Sequence, residues 1–82
     1  MPEVFRLLGF SFFFYANDHT PIHIHVEGKG GIAKFIWDGE KFALMGSQNI
    51  KVSDMKSITE VIEENKDLII KYWVRFFNSD KE

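Results

Sequence analysis

Three histidines, the full histidine content of the chain, lie within seven positions of one another at His19, His23 and His25. Asp18 precedes the first of them, and Glu27 follows the last. Imidazole titrates near neutral pH and binds divalent metals, and a neighbouring carboxylate can set its tautomer. This combination of residue types indicates a functional site, and it leaves the kind of chemistry open.

One alternative is general acid/base catalysis without a metal, with His19, His23, His25 and Asp18 as the candidate catalytic residues. A positioned imidazole that accepts and returns a proton can cleave phosphodiesters, so nucleic acids or nucleotides are the substrates that this alternative predicts. Asp18 is equally well explained as a turn former. Residues that could stack bases or hold phosphates lie nearby, although such rings more often belong to a core: Phe12 to Tyr15, Trp37, Lys29 and Lys34.

The other alternative is a metal site. Two strand residues with one residue between them place their side chains about 6.5–7 Å apart, which allows His23 and His25 to close on one ion. Glu27, His19 or Asp18 could supply a third ligand and leave an open position, and a divalent transition metal is the cofactor that this set predicts. Two half-exposed histidines that make ordinary hydrogen bonds would give the same sequence pattern.

The elements that position these residues follow from alternation. From Ile22 to Glu27 the apolar residues Ile24 and Val26 alternate with His23 and His25, so the segment predicts a strand with one buried face. The isoleucine face belongs to the core, and the histidine face lies away from a covering helix or at the edge of the sheet. Asn17 to Pro21 is a turn by composition, and it brings His19 to the same region.

Four further strands are predicted at residues 3–8, 10–16, 32–38 and 40–45, with a hairpin at Asp38-Gly39 and a loop over residues 46–49. Ser53 has the properties of a helix N-cap, and helical spacing of apolar residues continues to Phe77. The sequence therefore predicts an α+β fold: a five-stranded, mostly antiparallel sheet packed against one long C-terminal helix, in a single domain spanning residues 1–82.

The end of this helix is apolar nearly all round, and one helix face cannot bury all of that surface in a small domain. We expect Ile70, Val74 and Phe77 to bind a small partner protein or a second copy of the chain.

Composition narrows the class of protein. Of the 82 residues, 45% are hydrophobic and 27% charged, which is typical of a globular domain. The net charge of −2 gives no global attraction to nucleic acid, so such binding would need a local patch. The absence of cysteine excludes disulfides and thiolate metal sites. No apolar run approaches the ~20 residues of a membrane helix, and we expect a cytoplasmic protein.

Three segments carry a family resemblance: Pro2 to Arg6, Phe12 to Val26, and Ile58 to Phe77. Together they resemble the prokaryotic family called domain of unknown function 4160. Members are small proteins often encoded beside a second small protein, an arrangement like a toxin–antitoxin pair. The resemblance implies an effector that works as one member of a protein pair, and it supplies no settled chemistry. Together with the histidine cluster as candidate active site, it leads us to expect a toxin-like effector of a two-protein system. The alternative is a non-enzymatic protein-binding module whose histidines shape an interface or bind a metal.

Overall fold

The structure is a computed structural model that describes residues 3–15 and 18–79. Five strands come first and two helices follow. The α+β class and the antiparallel sheet predicted from the sequence are confirmed, and the strands lie in chain order across the sheet. The elements are β1 (Glu3–Leu7), β2 (Phe10–Phe13), β3 (His23–Gly28), β4 (Gly31–Trp37), β5 (Phe42–Gln48), α1 (Val52–Glu64) and α2 (Lys66–Ser79).

Two-residue turns explain why consecutive strands pair. Leu8 and Gly9 have φ of 57° and 81°, and Lys29 and Gly30 have φ of 52° and 78°. Turns with positive φ at both central residues match the right-handed twist of a hairpin. The register of β3 on β4 closes at Gly28 opposite Gly31, directly around the second turn.

The core lies between one face of the sheet and the two helices. Every second residue of β3 and β4 faces it, as the alternation predicts, and the buried positions of α1 and α2 cover it. Burying each large apolar side chain contributes about 1.5–3 kcal/mol, which a chain of this length needs. The most completely buried side chains are Phe10, Phe12, Phe14, Ile24, Val26, Phe35, Ile58, Ile62 and Ile69.

The prediction of one long helix is wrong, because the helix is interrupted at Asn65. The Asn65 side-chain amide donates to the carbonyl of Val61 at 2.8 Å, and its backbone N–H is shared between Val61 and Ile62. An asparagine that bonds the preceding turn competes with the regular helical ladder. The break allows α1 and α2 to follow the sheet separately. Within the described residues, neither α1 nor α2 is long and apolar enough to cross a membrane.

The start of the helical region also differs from the prediction. The N-cap residue is Lys51, two positions before the predicted Ser53, and no side chain caps it. Ser53 lies inside the first turn, where its carbonyl accepts a hydrogen bond from the Ser57 hydroxyl. The carbonyl of Lys51 accepts the first helical bond from Met55, so backbone pairing sets the start of the helix.

Strand β5 is longer than predicted. Residues 46–48, expected in a loop, pair with β4 as far as Gln48 opposite Ile32. A bulge at Met45 shifts the register, and the chain reverses only at Asn49, which has φ of 60°. Small polar residues favour loops, but pairing with a neighbouring strand overrides that preference. Strand β2 ends at Phe13, so Phe14 and Tyr15, which were predicted to belong to it, lie beyond the strand; the predicted end at Ala16 lies outside the described residues.

The residues expected to bind a partner on α2 divide into two groups. Ile70 and Phe77 are partly buried and pack against the core, and the Phe77 ring lies 4.2 Å from the Trp73 ring. Val74 is 46% exposed. The all-round apolar character of this helix is thus largely explained by burial, and Val74 retains the exposure that binding requires.

Candidate functional site

Two of the three histidines, His23 and His25, lie on the central strand β3, on the sheet face opposite to the core residues of that strand. Strand β3 pairs with β2 on one side and β4 on the other. In that register His25 is directly opposite Phe13 of β2 and Lys34 of β4. Directly opposed residues have Cβ atoms about 4.5–5.5 Å apart. An aromatic ring and an ammonium group therefore flank His25 across the sheet.

Asp18 and His25 form the one histidine–carboxylate pair in the described part of the chain. The Nε2 atom of His25 lies 3.1 Å from Oδ2 of Asp18, and their side chains are 13% and 14% exposed. The same oxygen accepts a hydrogen bond from the backbone N–H of Tyr15 at 3.0 Å. The Asp18 N–H in turn donates to the Tyr15 carbonyl at 3.1 Å. This reciprocal pairing holds the carboxylate in place, so the turn-forming role and the histidine contact coexist in one residue.

The contact defines which nitrogen of His25 is available. An ionised carboxylate only accepts hydrogen bonds, so the proton of the neutral ring is on Nε2. The lone pair is then on Nδ1, which becomes the atom that can take up a proton. A carboxylate that orients a histidine and stabilises its protonated form is the recurring arrangement of general bases in enzymes.

Two aromatic rings hold the His25 imidazole from the sides. The Phe13 ring stacks on it with centroids 5.5 Å apart and an interplanar angle of 22°. The Tyr15 ring meets it edge-on at 4.5 Å. Phe13 is buried, whereas Tyr15 is 44% exposed. The Phe13 ring thus restrains the imidazole, and the Tyr15 ring leaves part of its own surface exposed beside the imidazole.

His23 is the neighbour of His25 on the same face, with ring centroids 6.3 Å apart. Its Nδ1 atom is enclosed and has no hydrogen-bond partner among the described residues. Burial lowers the pKa of His23 below its usual 6.5, the Lys34 ammonium lowers it further, and the Asp18 carboxylate opposes both. The Trp73 ring of α2 lies 6.3 Å from it. These surroundings therefore favour the neutral form of His23.

The remaining predicted site residues are not brought into the pair. His19 is exposed in the loop after Asp18. A hydrogen bond with its backbone acts to raise the pKa of His23, against the larger effect of burial. Glu27 is exposed on β3, opposite Ser11 and Ile32. Across residues 3–15 and 18–79, no three histidine or carboxylate side chains converge to form a site that could hold a metal ion. The metal site at His23, His25 and Glu27 stays a prediction. The acid/base alternative is supported by the direct contact between Asp18 and His25.

His25 lines a groove of about 620 Å³ on its face of the sheet, and Asp18 does not. Tyr15, Lys34 and the predicted metal ligand Glu27 line the same groove, together with residues of β5 that the sequence did not identify as site residues. Those β5 residues were predicted in or next to a loop, so nothing in the one-dimensional pattern placed them beside the histidines. They are Met45, Gly46, Ser47 and Gln48.

Comparison with known proteins identifies a family and no activity. A protein-family model described as Domain of unknown function (DUF4160) matches residues 9–74, which include every residue of the groove. The search of curated proteins and the search of solved structures each found no match.

Proposed function

The chain belongs to the family described as Domain of unknown function (DUF4160), and from that premise we propose that it is a small effector that cleaves phosphodiester bonds in RNA. His25 is the catalytic base, and Asp18 is the residue that positions it. The proposal includes the two-protein, toxin–antitoxin-type setting and the cytoplasmic location expected from the sequence. The observation that carries it is the Asp18–His25 contact, made by a histidine that lines a groove together with Lys34 and Tyr15.

The groove offers the three functions that this reaction needs. His25 Nδ1 accepts the proton of a ribose 2′-hydroxyl, and the resulting oxygen attacks the adjacent phosphorus. The 5′-oxygen leaves and takes up the proton of the imidazolium, directly or relayed by a water molecule, which restores the neutral ring and leaves a 2′,3′-cyclic phosphate. The Lys34 ammonium stabilises the negative charge on the phosphoryl oxygens. Tyr15 supplies a half-exposed ring on which a base can stack, a contact worth about 1–3 kcal/mol.

Asp18 supports this cycle without touching the substrate. It holds Nε2–H so that Nδ1 faces the reaction, and it stabilises the imidazolium that forms after proton uptake. His23 remains neutral beside the pair, and its lowered pKa keeps a second positive charge away from His25. One proton acceptor suffices for RNA, because the attacking hydroxyl is part of the substrate itself.

The test is cleavage of a fluorescent single-stranded RNA by the purified chain and by His25→Gln, with chelator present throughout. Removing a general base costs about 10²–10⁴-fold in rate. Asp18→Asn should cost less, and Lys34→Ala should weaken activity through charge loss. Lys71→Ala, an exposed α2 lysine, is the matched control and should cleave at the parental rate. A DNA oligonucleotide of the same sequence should remain intact because it lacks the attacking hydroxyl.

Expression in a bacterial host separates this proposal from the non-enzymatic alternative. Parental protein should slow growth, and folded His25→Gln should restore it. Equal growth with both proteins, together with no RNA cleavage, would favour a binding module whose histidines only shape an interface.

A further inference from the structure

The groove beside His25 extends along the sheet to a neighbouring row of three side chains. The strand register places Glu27 of β3, Ile32 of β4 and Gln48 of β5 side by side, and all three line the groove. Glu27 is two residues beyond His25 on the same strand face, so the row lies about 6.5–7 Å from the histidine along the strand. Strand β2 runs antiparallel to β3, and the chain reaches Tyr15 only after passing His25. The groove therefore continues on both sides of the proposed catalytic base.

The middle of this row is an apolar surface beside a gap. Ile32 is 49% exposed, so its side chain offers an aliphatic surface to the groove. Gly46 lies on the neighbouring strand, opposite Lys34, and a Cβ added to it would meet no atom within 4 Å. A flat ring placed over Ile32 and Gly46 would bury apolar surface without displacing any side chain of β5 at that position.

Nothing in the fold requires glycine at position 46. Its φ lies outside the left-handed range, so another residue could adopt the same backbone conformation. The bulge at Met45 does not require it either, because the bulge type that needs glycine gives it a positive φ. Glycine weakens the interior of a strand, and it often marks a place where a ligand approaches the backbone closely. Gly46 is therefore better explained by the groove than by the sheet.

Polar groups stand at both ends of the row. Glu27 and Gln48 flank Ile32 from opposite sides, about 10 Å apart across two strand spacings. Within the described ranges neither side chain has an ion-pair or hydrogen-bond partner, and Ser11, the β2 neighbour of Glu27, is bonded to Glu3 instead. The carboxylate only accepts hydrogen bonds, whereas the amide both donates and accepts them. Both groups are therefore available to a ligand that lies between them.

Hydrogen-bond chemistry selects one nucleobase for this position. Guanine presents two adjacent donors, N1–H and the N2 amino group, which match the two oxygens of a carboxylate. Its N7 and O6 atoms accept hydrogen bonds along another edge. Adenine, cytosine and uracil each place an acceptor beside the donor of their Watson–Crick edge, and a carboxylate repels that acceptor. Glu27 therefore favours guanine over the other three bases.

We propose that the row of Glu27, Ile32 and Gln48 is a guanine subsite, and that it makes the ribonuclease proposed above specific for guanosine; the inference rests on that function. Guanine lies over Ile32 and Gly46. The Glu27 carboxylate accepts hydrogen bonds from N1–H and the N2 amino group, and the Gln48 amide donates to N7 or O6. The adjoining nucleotide then reaches Tyr15 beyond the catalytic base. Cleavage should accordingly occur at a bond next to guanosine.

Base preference is measured by binding, without cleavage. The probes are short fluorescent single-stranded DNA oligonucleotides, which lack the attacking hydroxyl, with one guanine or one adenine among thymines. Fluorescence anisotropy should show that the guanine probe binds the full chain at least about tenfold more tightly, the effect of one bidentate contact to a base. In the ¹⁵N-labelled chain, the guanine probe should shift the backbone amides of Ile32 and Gln48. Equal affinity for the two probes, no binding of either probe, or shifts confined to other surfaces would overturn the proposal.

Variants assign the contacts through the ratio of guanine to adenine affinity, in which a general effect of charge cancels. Glu27→Gln should bring this ratio close to one, and Gln48→Leu should lower it roughly two- to tenfold, the range of one hydrogen bond. Glu40→Gln makes the same charge change at an exposed position outside the groove and should preserve the ratio. Gly46→Val should weaken binding of both probes, whereas Ala43→Val, on the same strand outside the groove, should not. Chemical denaturation verifies that each variant is folded, and equal ratios for Glu27→Gln and Glu40→Gln would contradict the subsite.

A cleavage experiment separates this inference from the proposed function. A single-stranded RNA with one guanosine among adenosines and uridines should be cut at a bond next to the guanosine. Cleavage at every bond alike, with no tighter binding of the guanine probe, would remove the subsite and leave the ribonuclease. Guanine-selective binding without cleavage of any RNA would remove the ribonuclease and leave a guanine-binding site.

Discussion

Replacing Asp18 by alanine or by asparagine tests whether the carboxylate organises the site. One oxygen of Asp18 accepts hydrogen bonds from His25 Nε2 at 3.1 Å and from the Tyr15 N–H at 3.0 Å. Asparagine can place its amide oxygen at the same point and keep both bonds. Alanine removes the acceptor and leaves two donors unpaired in a partly buried site.

The two substitutions should therefore lower the free energy of unfolding by different amounts. A buried donor left without its acceptor costs about 1–3 kcal/mol. The Asp18 and His25 side chains are only 14% and 13% exposed, so water replaces the lost acceptor incompletely. We expect Asp18→Ala to lower the free energy of unfolding by about 2–3 kcal/mol, and Asp18→Asn by less than about 1 kcal/mol. For a domain of this size the alanine variant should melt about 10–20 °C lower.

Chemical denaturation gives the free energies, and ¹⁵N chemical shifts of the imidazole report the tautomer. At about pH 8, His25 should carry its proton on Nε2 in the parental protein and in Asp18→Asn. In Asp18→Ala the two tautomers should mix. Equal destabilisation by alanine and asparagine, or a parental proton on Nδ1, would refute the proposed organisation of the pair.

Three further predictions concern stability and can be measured by denaturation. Gly31→Ala should cost about 1–3 kcal/mol, because the new Cβ would lie 2.4 Å from a backbone oxygen, whereas Gly46→Ala meets no atom within 4 Å and should change stability far less. Trp73→Ala should cost about 3–5 kcal/mol as a core truncation, and the exposed Val74→Ala less than about 0.5 kcal/mol; equal losses would contradict the burial of α2. Because the folded pKa of His23 is below 6.5, the unfolded chain binds more protons, so stability should fall as pH drops below about 6.5 and level off below the folded pKa. Substituting His23 with glutamine should flatten that slope, and an unchanged slope would assign it to other groups.

The amino-acid sequence by itself determined the local structure of this protein. Alternation from His23 to Gly28 sets the face of each side chain, because successive strand residues point to opposite sides. Positive-φ residues at Leu8-Gly9 and Lys29-Gly30 set the hairpins, because a two-residue reversal allows only antiparallel neighbours. These are short-range rules, so the antiparallel sheet and the shared face of the two strand histidines could be predicted without a structure.

The position of the helix break is set by competing hydrogen bonds within one turn, at Asn65. Helical spacing continues through Asn65, and no proline or glycine marks an end there. The Asn65 side chain bonds the Val61 carbonyl and divides the helix, while α1 and α2 still place Ile58 and Ile69 in the same core. Helical periodicity predicts which residues are buried. It does not predict whether they belong to one continuous helix or to two, because both arrangements bury the same residues.

Only the tertiary structure decided which residues meet at the site. Three histidines and two carboxylates were candidates in the sequence, and among the described residues Asp18 is the carboxylate that contacts His25. The continuation of β5 past a bulge added the far wall of the groove. Such contacts join residues through strand register and loop path, which are properties of the whole sheet. Residue type and spacing identified the candidate site residues, and tertiary packing determined that Asp18 and His25 are the two in contact.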